Sequence, residues 1–390
     1  MRVLLITPHV FAGGAEKAAL NLAYHLNLMG CDVSIATLSL DLGKLPDRFA
    51  KLEYLLPEKN VEPYNANGVY DVLKSISKEF YALTSLVRKF SPEFDVLGAC
   101  NFPSYWSTCL ANGNKPVVWL CSEVLGPYGQ TRDFYERNRF FRLAFESAKA
   151  IDKMIVNIGV NKIITCSEVN SRLIRERYGR ESVVIHTGVD YEFFSENVPD
   201  AKDRLGLSNS ILLLHVGSLI PRKNHILSIR AMKILKQKFN SVKLVIVGEG
   251  PWKPILLNEV ERLHLEGDVI FMGIVSEDEL RCLYRACDVN LFPAEDQTWG
   301  LVPFEALAAG KPSIVATSCG AALIMGKEKI GFIINPSVEN LVEAVTQVLK
   351  NDELIEDMVR RGQRFVRENL TWESYARKVH SVFKEVLSSE

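Results

Sequence analysis

The chain has 390 residues, of which 47% are hydrophobic, so its length and composition indicate two or three domains with substantial cores. Its 46 Lys and Arg residues balance 47 Asp and Glu, for a formal net charge of -1. Because this leaves no chain-wide positive field to hold a phosphate polymer, we exclude a dedicated nucleic-acid binder. No apolar run reaches the ~20 residues of a membrane span, and the eight cysteines include no Cys-x-x-Cys pair. We expect a soluble, cytosolic chain with reduced thiols and no zinc site.

The first forty residues predict a strand, a glycine loop, a helix and a second strand. An apolar run at 2–7 precedes Gly13 and Gly14, and apolar residues then recur at helical spacing. Gly30 ends this helix, and the next apolar run covers 31–37. The result is a βαβ unit with a right-handed crossover. Further strands are predicted at 96–100, 117–121, 162–166 and 183–185.

A second α/β series begins near residue 210. Five apolar runs predict buried strands of a parallel sheet, at 211–216, 243–247, 269–272, 289–292 and 313–316. The helices between them are predicted at 226–239, 254–263, 277–287 and 303–309. We therefore predict an α/β fold of two doubly wound domains, with a hinge within 187–204 and a final helix at 372–387.

The glycine loop is the first candidate for chemistry. Gly13 and Gly14 lie between a strand and a helix, where backbone N–H groups can approach a phosphate and the helix N-terminus adds partial positive charge. The sequence Gly-Gly-Ala-Glu lacks the full dinucleotide fingerprint, which argues against a nicotinamide or flavin enzyme. A tight turn with no ligand is the alternative interpretation.

Two adjacent cations form the second candidate. Arg222 and Lys223 follow the first strand of the second series, in a loop that begins with Gly217 and Ser218. Open α/β sheets bind ligands at the carboxyl ends of their strands, where such a pair can neutralise a diphosphate. The alternative is a solvated pair of surface cations.

The third candidate is the segment 295–305, after the strand at 289–292. Pro303 suits the start of a helix, so Glu305 falls in the first turn, where its carboxylate can accept hydrogen bonds from both hydroxyls of a ribose. The loop at 298–300 offers backbone N–H groups to a phosphate or a sugar. A glutamate that interacts only with the helix dipole is the alternative.

Six segments follow one another in the order and spacing of a known family: GGAEKAALNLAYHL, IHTGVDYEFF, LLHVGSLIPRKNH, LVIVGEGPW, VIFMGIVSEDELRCLYRACDVNLFP and WGLVPFEALAAGKPSIV. The chain resembles the retaining glycosyltransferases of the family-4 type, which have the GT-B fold. The resemblance thins between 43 and 161. It implies two Rossmann-like domains facing across a cleft: an acceptor-binding domain at 1–190 and a nucleotide-sugar-binding domain at 191–367. The helix in 368–390 would pack back toward the N-terminal domain.

The resemblance also implies roles for individual residues. Lys223 matches a lysine on the donor diphosphate, Glu305 a glutamate on the ribose hydroxyls, and Gly14 a glycine that faces the diphosphate. The catalytic candidates are Lys223, Arg222, Glu305 and Gln297. The donor-binding candidates are Gly13, Gly14, Gly217, Ser218, Ile274, Val275, Trp299, Gly300, Leu301 and Val302.

Three positions depart from the family pattern. Gln297 stands where the family has the first glutamate of its Glu-x7-Glu motif, Ser218 where it has an arginine, and Ser122 where a histidine is common. We expect Arg222 to replace the missing arginine. Glu123 supplies a carboxylate beside Ser122, and these two residues are the acceptor-side candidates.

The family resemblance implies transfer of a hexose, such as mannose or glucose, from a nucleoside diphosphate sugar to an acceptor hydroxyl, with retention of configuration. It implies no cofactor and no metal, in keeping with the absence of an Asp-x-Asp motif from the sequence. The expected partners are the nucleotide sugar and a carbohydrate or lipid-linked acceptor, in glycan, glycolipid or polysaccharide synthesis. Two alternatives are a sugar-nucleotide 2-epimerase of GT-B architecture and a non-catalytic sugar-nucleotide-binding subunit, the latter suggested by the three departures.

The segment 132–149 bears on where the acceptor lies. On a helix, its phenylalanines form one stripe and its arginines, including Arg139 and Arg142, gather on another face. Such a helix can lie on an anionic bilayer, which would place the protein at the cytoplasmic face of the membrane. The alternative is that the stripe packs on the domain's own sheet and the arginines are solvated.

Overall fold

The computed structural model describes residues 1–11, 13–43, 45–59, 61, 69–124, 139–199 and 201–389, with the backbone alone at 69–73 and 139–145. Two compact units are present. The first consists of Met1–Thr187 and Trp372–Glu390, and the second of Gly188–Thr371. Each unit is built on a parallel sheet with helices, which confirms the prediction of two doubly wound α/β domains.

The first unit contains a seven-stranded sheet. Its strands are β1 Arg2–Ile6, β2 Asp32–Ala36, β3 Glu53–Leu55, β4 Val96–Ala99, β5 Val117–Cys121, β6 Lys162–Thr165 and β7 Val183–Val184. The helices between them are α1 Gly14–Leu28, α2 Val69–Phe90, α3 Ser104–Ala111, α4 Arg139–Gly159 and α5 Glu168–Tyr178. The strand order is β3-β2-β1-β4-β5-β6-β7, so the direction of winding reverses between β1 and β4.

The second unit repeats this plan with six strands. They are β8 Ile211–Val216, β9 Val242–Val247, β10 Val269–Gly273, β11 Val289–Phe292, β12 Ser313–Ala316 and β13 Phe332–Ile334. The helices are α6 Tyr191–Ser195, α7 His225–Lys238, α8 Lys253–Arg262, α9 Glu277–Ala286, α10 Val302–Ala308, α11 Gly320–Glu328, α12 Val338–Val348 and α13 Asp352–Asn369. The strand order is β10-β9-β8-β11-β12-β13, with the reversal between β8 and β11.

The central strands explain why the apolar runs are continuous. Val3, Leu4, Leu5 and Ile6 in β1 are all completely buried, because a parallel sheet covered by helices leaves neither face of a central strand in water. In the second unit, Leu212, Leu213 and Leu214 of β8 are buried in the same way. An alternating pattern would have predicted a sheet with one solvated face.

The C-terminal helix, α14 (Trp372–Ser388), belongs to the first unit, where it packs against α1. The chain therefore enters the second unit after Thr187 and leaves it after Thr371. The sequence placed the corresponding boundaries at 190 and 367. Tyr375, Val379 and Phe383 form part of the buried face of α14.

A buried carboxylate joins three helices of the first unit. Asp152 on α4 is completely buried and accepts hydrogen bonds from Tyr105 Oη and Trp106 Nε1, each at 2.7 Å. It also accepts from Tyr178 Oη at 2.7 Å and Arg177 Nη2 at 3.0 Å. Because these donors lie on α3 and α5, the carboxylate fixes the order α3, α4, α5 within one layer of helices.

Candidate active site

The second unit has its site-forming loops at the strands where the winding reverses. The loop after β8 runs from Gly217 to Asn224, and the loop after β11 runs from Pro293 to Leu301. Both leave the carboxyl edge of the sheet at neighbouring strands, where a doubly wound sheet opens a crevice.

Lys223 lies at the centre of this edge. It ends a short 3₁₀ turn, and Asn224 follows with a left-handed φ of 56° before α7 begins. The Lys223 ammonium donates a hydrogen bond to Gln297 Oε1 at 2.6 Å and lies 5.2 Å from the centroid of the Phe292 ring. A Cβ built on Gly217 would lie 3.4 Å from Lys223 Cδ, so the lysine stem runs along that glycine. The predicted cation and the predicted glutamine therefore meet across the two loops.

Backbone contacts tie the loops together as well. The Glu295 N–H donates to the carbonyl oxygen of Arg222 at 2.8 Å. Arg222 is partly exposed beside Lys223, while the Ser218 side chain, at the position where the family has an arginine, is exposed. The two loops thus hold Lys223 and Arg222 by main-chain as well as side-chain contacts.

Three glycines lie in contact along this edge, after β8, β9 and at the end of β10; we name Gly217, Gly248 and Gly273 the glycine tier. The Gly248 N–H donates to the Gly273 carbonyl oxygen at 2.8 Å, and a Cβ at Gly248 would lie 2.0 Å from the Gly217 carbonyl oxygen. Gly248 has a φ of 139° and Gly273 a φ of 67°, which L side chains rarely adopt. No side chain fits at Gly248 without displacing the loop that begins at Gly217.

The loop after β11 is also closely packed. The Gly320 N–H, at the start of α11, donates to the Gln297 carbonyl oxygen at 2.8 Å, and a Cβ on Gly320 would lie 1.8 Å from the Thr298 carbonyl oxygen. A Cβ on Gly300 would lie 2.8 Å from Phe292 Cε1. These approaches fix the backbone that carries Gln297.

Trp299 packs inside the unit. Its ring is 6% exposed and stacks on Phe304, with centroids 5.2 Å apart and an angle of 27° between the planes. The indole is therefore a packing residue in this structure. Leu301 precedes α10, and Val302 begins it.

Glu305 lies in the first turn of α10, as predicted, and is buried. Its Oε2 accepts a hydrogen bond from Tyr284 Oη at 2.8 Å. Burial raises the pKa of Tyr284 well above its usual range, and the Glu305 carboxylate raises it further. The phenol therefore keeps its proton and remains a hydrogen-bond donor. The sequence analysis did not identify Tyr284, because this residue lies on another helix, α9, where its spacing predicts only a residue of the buried apolar face.

A pair of histidines beside Lys223 was also missed. His215 in β8 and His225 at the start of α7 are buried and stack with centroids 3.9 Å apart. His215 Nδ1 hydrogen-bonds Ser228 Oγ at 2.9 Å. Burial lowers the pKa of both imidazoles, and the positive charge of Lys223 lowers it further. The pKa of His225 falls to about 3. Both rings are therefore neutral packing elements at the base of the Lys223 turn.

The residues predicted beside the nucleotide base follow β10. The Ile274 side chain is half exposed and Val275 is partly buried. Ser276 caps α9, and its Oγ accepts from the Glu279 N–H at 3.2 Å. This segment leaves the same carboxyl edge as the Lys223 loop, two strands away from β8.

The remaining candidates belong to the first unit. Gly13 is the extended N-cap residue of α1, and the helix begins at Gly14. A Cβ on Gly13 would lie 2.1 Å from Glu16 Oε2, so the Glu16 carboxyl folds back over the helix N-terminus. Burial raises the pKa of Glu16 to about 7, with Glu123 adding to the increase and His9 opposing it.

Ser122 and Glu123 directly follow β5. The Ser122 carbonyl oxygen accepts from Cys166 Sγ at 3.4 Å. Ser122 also lines a cavity of ≈ 20 Å³ at the carboxyl edge of the first sheet, together with Ala18 and Cys100. This volume holds about one water molecule. The structure thus places the acceptor-side candidates at the carboxyl edge of the sheet in their own unit.

In the part of the chain that the structure describes, no three His, Cys, Asp or Glu side chains are grouped so as to hold a metal ion. Its helices include none that combines the length and the apolar composition of a membrane span.

Comparison with known proteins agrees with the fold. The family model described as Glycosyltransferase Family 4 matches residues 12–193, and that described as Glycosyl transferases group 1 matches residues 198–365. Two parallel-sheet α/β units with these matches define a glycosyltransferase of GT-B type. The chain belongs to the family-4-type glycosyltransferases, which confirms the resemblance seen in the sequence.

The relatives differ in how much they share with the chain. An uncharacterized glycosyltransferase of Methanocaldococcus jannaschii is 29% identical over 98% of both chains. The alpha-monoglucosyldiacylglycerol synthase of Acholeplasma laidlawii is 24% identical over 58% of this chain and 56% of its own length. A GDP-mannose-dependent alpha-(1-6)-phosphatidylinositol monomannoside mannosyltransferase of Mycobacterium tuberculosis is 28% identical over 45% and 47%.

Solved structures share the fold at low identity. Anabaena HepE in complex with UDP and glucose has a TM-score of 0.80 at 18% identity, and the match covers 98% of this chain and 99% of that one. The sucrose-phosphate synthase of Thermosynechococcus elongatus has a TM-score of 0.80 at 18% identity over 100% of both chains. At this identity the likeness establishes the GT-B fold.

Proposed function

We propose that the protein transfers a hexose from a nucleoside diphosphate sugar to an acceptor hydroxyl with retention of configuration. The observation that carries this proposal is the meeting of Lys223 and Gln297 at the carboxyl ends of β8 and β11. A lysine held there, with Arg222 beside it, supplies the positive charge that a diphosphate requires. Titration of the protein with UDP- and GDP-sugars in a calorimeter tests for such a donor.

The chemistry follows from charge. As the bond between the sugar's anomeric carbon and the diphosphate oxygen breaks, negative charge grows on the departing diphosphate. Lys223, Arg222 and the amides of the loop at Gly300 offset it, which lowers the barrier. The acceptor oxygen bonds to the anomeric carbon on the same face, and its proton passes to the leaving diphosphate. Glu305 holds the ribose, and Gln297 contacts the hexose. No metal is needed, since cationic side chains supply the charge.

We assign the acceptor to the first unit, with Ser122 and Glu123 beside its site and with the Gly13-Gly14 loop offering backbone N–H groups to a phosphate. One relative is named as the synthase of a monoglucosyldiacylglycerol, and another as a mannosyltransferase of a phosphatidylinositol monomannoside. They support a lipid-linked acceptor, and with it peripheral contact at the cytoplasmic face of a membrane.

The test is release of free nucleoside diphosphate from a panel of donors, with and without lipid extract as acceptor and in the presence of EDTA. Transfer requires release that acceptor stimulates and Lys223→Ala abolishes, whereas Lys238→Ala, at an exposed lysine elsewhere in the second unit, leaves release unchanged. An epimerase leaves the nucleotide attached to its sugar, and a binding subunit consumes no donor. Activity lost in EDTA and restored by Mn²⁺ or Mg²⁺ would contradict the metal-independent mechanism.

A further inference from the structure

Three helices of the first unit form one outer surface. Helix α2 packs against α3, and α3 against α4. The last contact is close, because a Cβ on Gly159 would lie 2.5 Å from Cys109 Cβ. Their inner faces, including Leu83, Tyr105 and Val156, belong to a single buried cluster with the sheet. The outer faces of the three helices therefore lie side by side.

This outer surface carries large apolar side chains in water. Ile151, Met154 and Ile158 on α4 are 46%, 55% and 81% exposed and recur at i, i+3 and i+7, which places them along one stripe. Leu110 on α3, next to Cys109, is 56% exposed, and Tyr81 on α2 is 78% exposed. Singly exposed apolar residues are ordinary, but several on adjoining helices are typical of a surface that meets an apolar partner.

The same surface is basic. Lys74, Lys78 and Arg88 share a helical stripe with Tyr81, and all four are exposed. Lys89 at the end of α2 and Lys153 on α4 are exposed as well.

The carboxylates described on these helices do not offset this charge. Glu79 and Asp152 are buried, and Glu146 pairs with Lys149 at 2.8 Å. In a chain with a formal net charge of -1, this is a local excess of cations around exposed apolar residues.

We propose that this surface, the docking face (Lys74, Lys78, Tyr81, Arg88, Leu110, Ile151, Met154 and Ile158), binds an anionic bilayer. Aliphatic side chains and a tyrosine enter the interface, while lysines and an arginine contact anionic head groups. The inference rests on the proposed transfer to a lipid-linked acceptor. The docking face lies on α2, α3 and the second half of α4. The sequence analysis pointed instead to the segment 132–149, in which the side chains of 132–145 lie outside the described residues.

Co-sedimentation of the full chain with vesicles tests the proposal, using phosphatidylcholine alone and phosphatidylcholine with phosphatidylglycerol. The parent should bind the anionic vesicles and release them at high salt. Lys78→Glu with Arg88→Glu should weaken binding at least about tenfold, since each cation near an anionic surface contributes about 1 kcal/mol. Met154→Gln with Ile158→Gln should weaken binding at every salt concentration at which the parent binds. The matched control is Lys238→Glu with Lys350→Glu, at exposed lysines of the second unit, which should bind as the parent does.

Thermal unfolding identifies variants that fail to fold. Because the substituted side chains are exposed, the substitutions should leave the midpoint of thermal unfolding unchanged. Absence of parent binding, or equal binding by the parent and both docking-face variants, would overturn the proposal. Stronger binding to a soluble acidic protein than to vesicles would overturn it too. Donor consumption is measured separately, with detergent-solubilised lipid extract as acceptor and no vesicles. Vesicle binding with no nucleoside diphosphate released from any donor contradicts the transferase proposal and not the docking face. Acceptor-stimulated release with no vesicle binding contradicts the docking face and not the transferase proposal.

Discussion

The ammonium of Lys223 donates a hydrogen bond of 2.6 Å to the amide oxygen of Gln297, a residue 74 positions later in the chain. The contact joins the loops after β8 and β11, the two strands between which the winding of the second sheet reverses. A cation whose position is fixed in this way loses little side-chain entropy when it binds an anion. Donor affinity should therefore depend strongly on Lys223 and on the residue at 297.

Replacing Lys223 by alanine should weaken binding of the nucleoside diphosphate. Loss of a charge-assisted hydrogen bond costs about 1.5–3 kcal/mol, or roughly 10- to 150-fold in affinity. Calorimetric titration measures it, and Lys238→Ala serves as the control because that lysine is exposed elsewhere in the same unit. Equal affinity in the parent and Lys223→Ala would remove the lysine from the site.

Replacing Gln297 by glutamate should weaken affinity for free nucleoside diphosphate, because a carboxylate within hydrogen-bond distance of Lys223 neutralises the charge that the diphosphate needs. Gln297→Met keeps the size of the side chain and introduces no charge, so it should reduce affinity less. The ratio of the two dissociation constants is the readout. If both variants behave alike, the effect is steric and the electrostatic explanation is wrong.

Replacing Tyr284 by phenylalanine removes the hydrogen bond to buried Glu305. We expect the free energy of unfolding to fall by about 1.5–3 kcal/mol, the usual contribution of a hydrogen bond to a charged group, and donor affinity to fall as Glu305 loses its orientation. Urea denaturation and titration with donor measure the two effects. Tyr81→Phe, at an exposed phenol, should change neither. Unchanged donor affinity in Tyr284→Phe would mean that Glu305 is oriented by other contacts.

Glu16→Gln should change the pH dependence of stability. Because burial raises the folded-state pKa of Glu16 to about 7, above its ordinary 4.5, the folded state binds this proton more tightly than the unfolded state does. Stability of the parent therefore falls as the pH rises through this interval, and the variant lacks that contribution. Urea unfolding from about pH 5 to about pH 8 should show the variant gaining stability relative to the parent. A difference in stability between the two proteins that does not change with pH would contradict the raised pKa of Glu16.

Most of the fold was predictable from local patterns, and the exceptions share a cause. Strands β8, β11 and β12 have the predicted bounds because each is a buried apolar run. The strands β3 and β13 were not predicted: each is three residues long and lies at an edge of its sheet, with mostly half-buried or exposed side chains. Such strands form because a neighbouring strand offers hydrogen bonds, and that information is absent from their own composition.

The candidate site was predictable to the level of its loops. Gly217, Lys223 and Glu305 could be placed because strands and helix starts locate them along the chain. Their partners could not, since the hydrogen bond from Tyr284 to Glu305 and the stacking of His215 on His225 depend on packing between elements. Periodicity assigns a residue to a face, and only the fold determines what that face meets.

With the proposed donor site at this edge, the glycine tier limits how the nucleotide preference can change. Since Gly217, Gly248 and Gly273 approach one another without room for a Cβ at Gly248, substitution there deforms three loops together and does not reshape one pocket wall. Changes in specificity are therefore expected at neighbouring positions whose side chains reach the surface, such as the half-exposed Ile274. A mutant library that randomises 274 and 275 and leaves the glycines intact will contain more folded members, and more altered specificities, than one spread evenly over the edge.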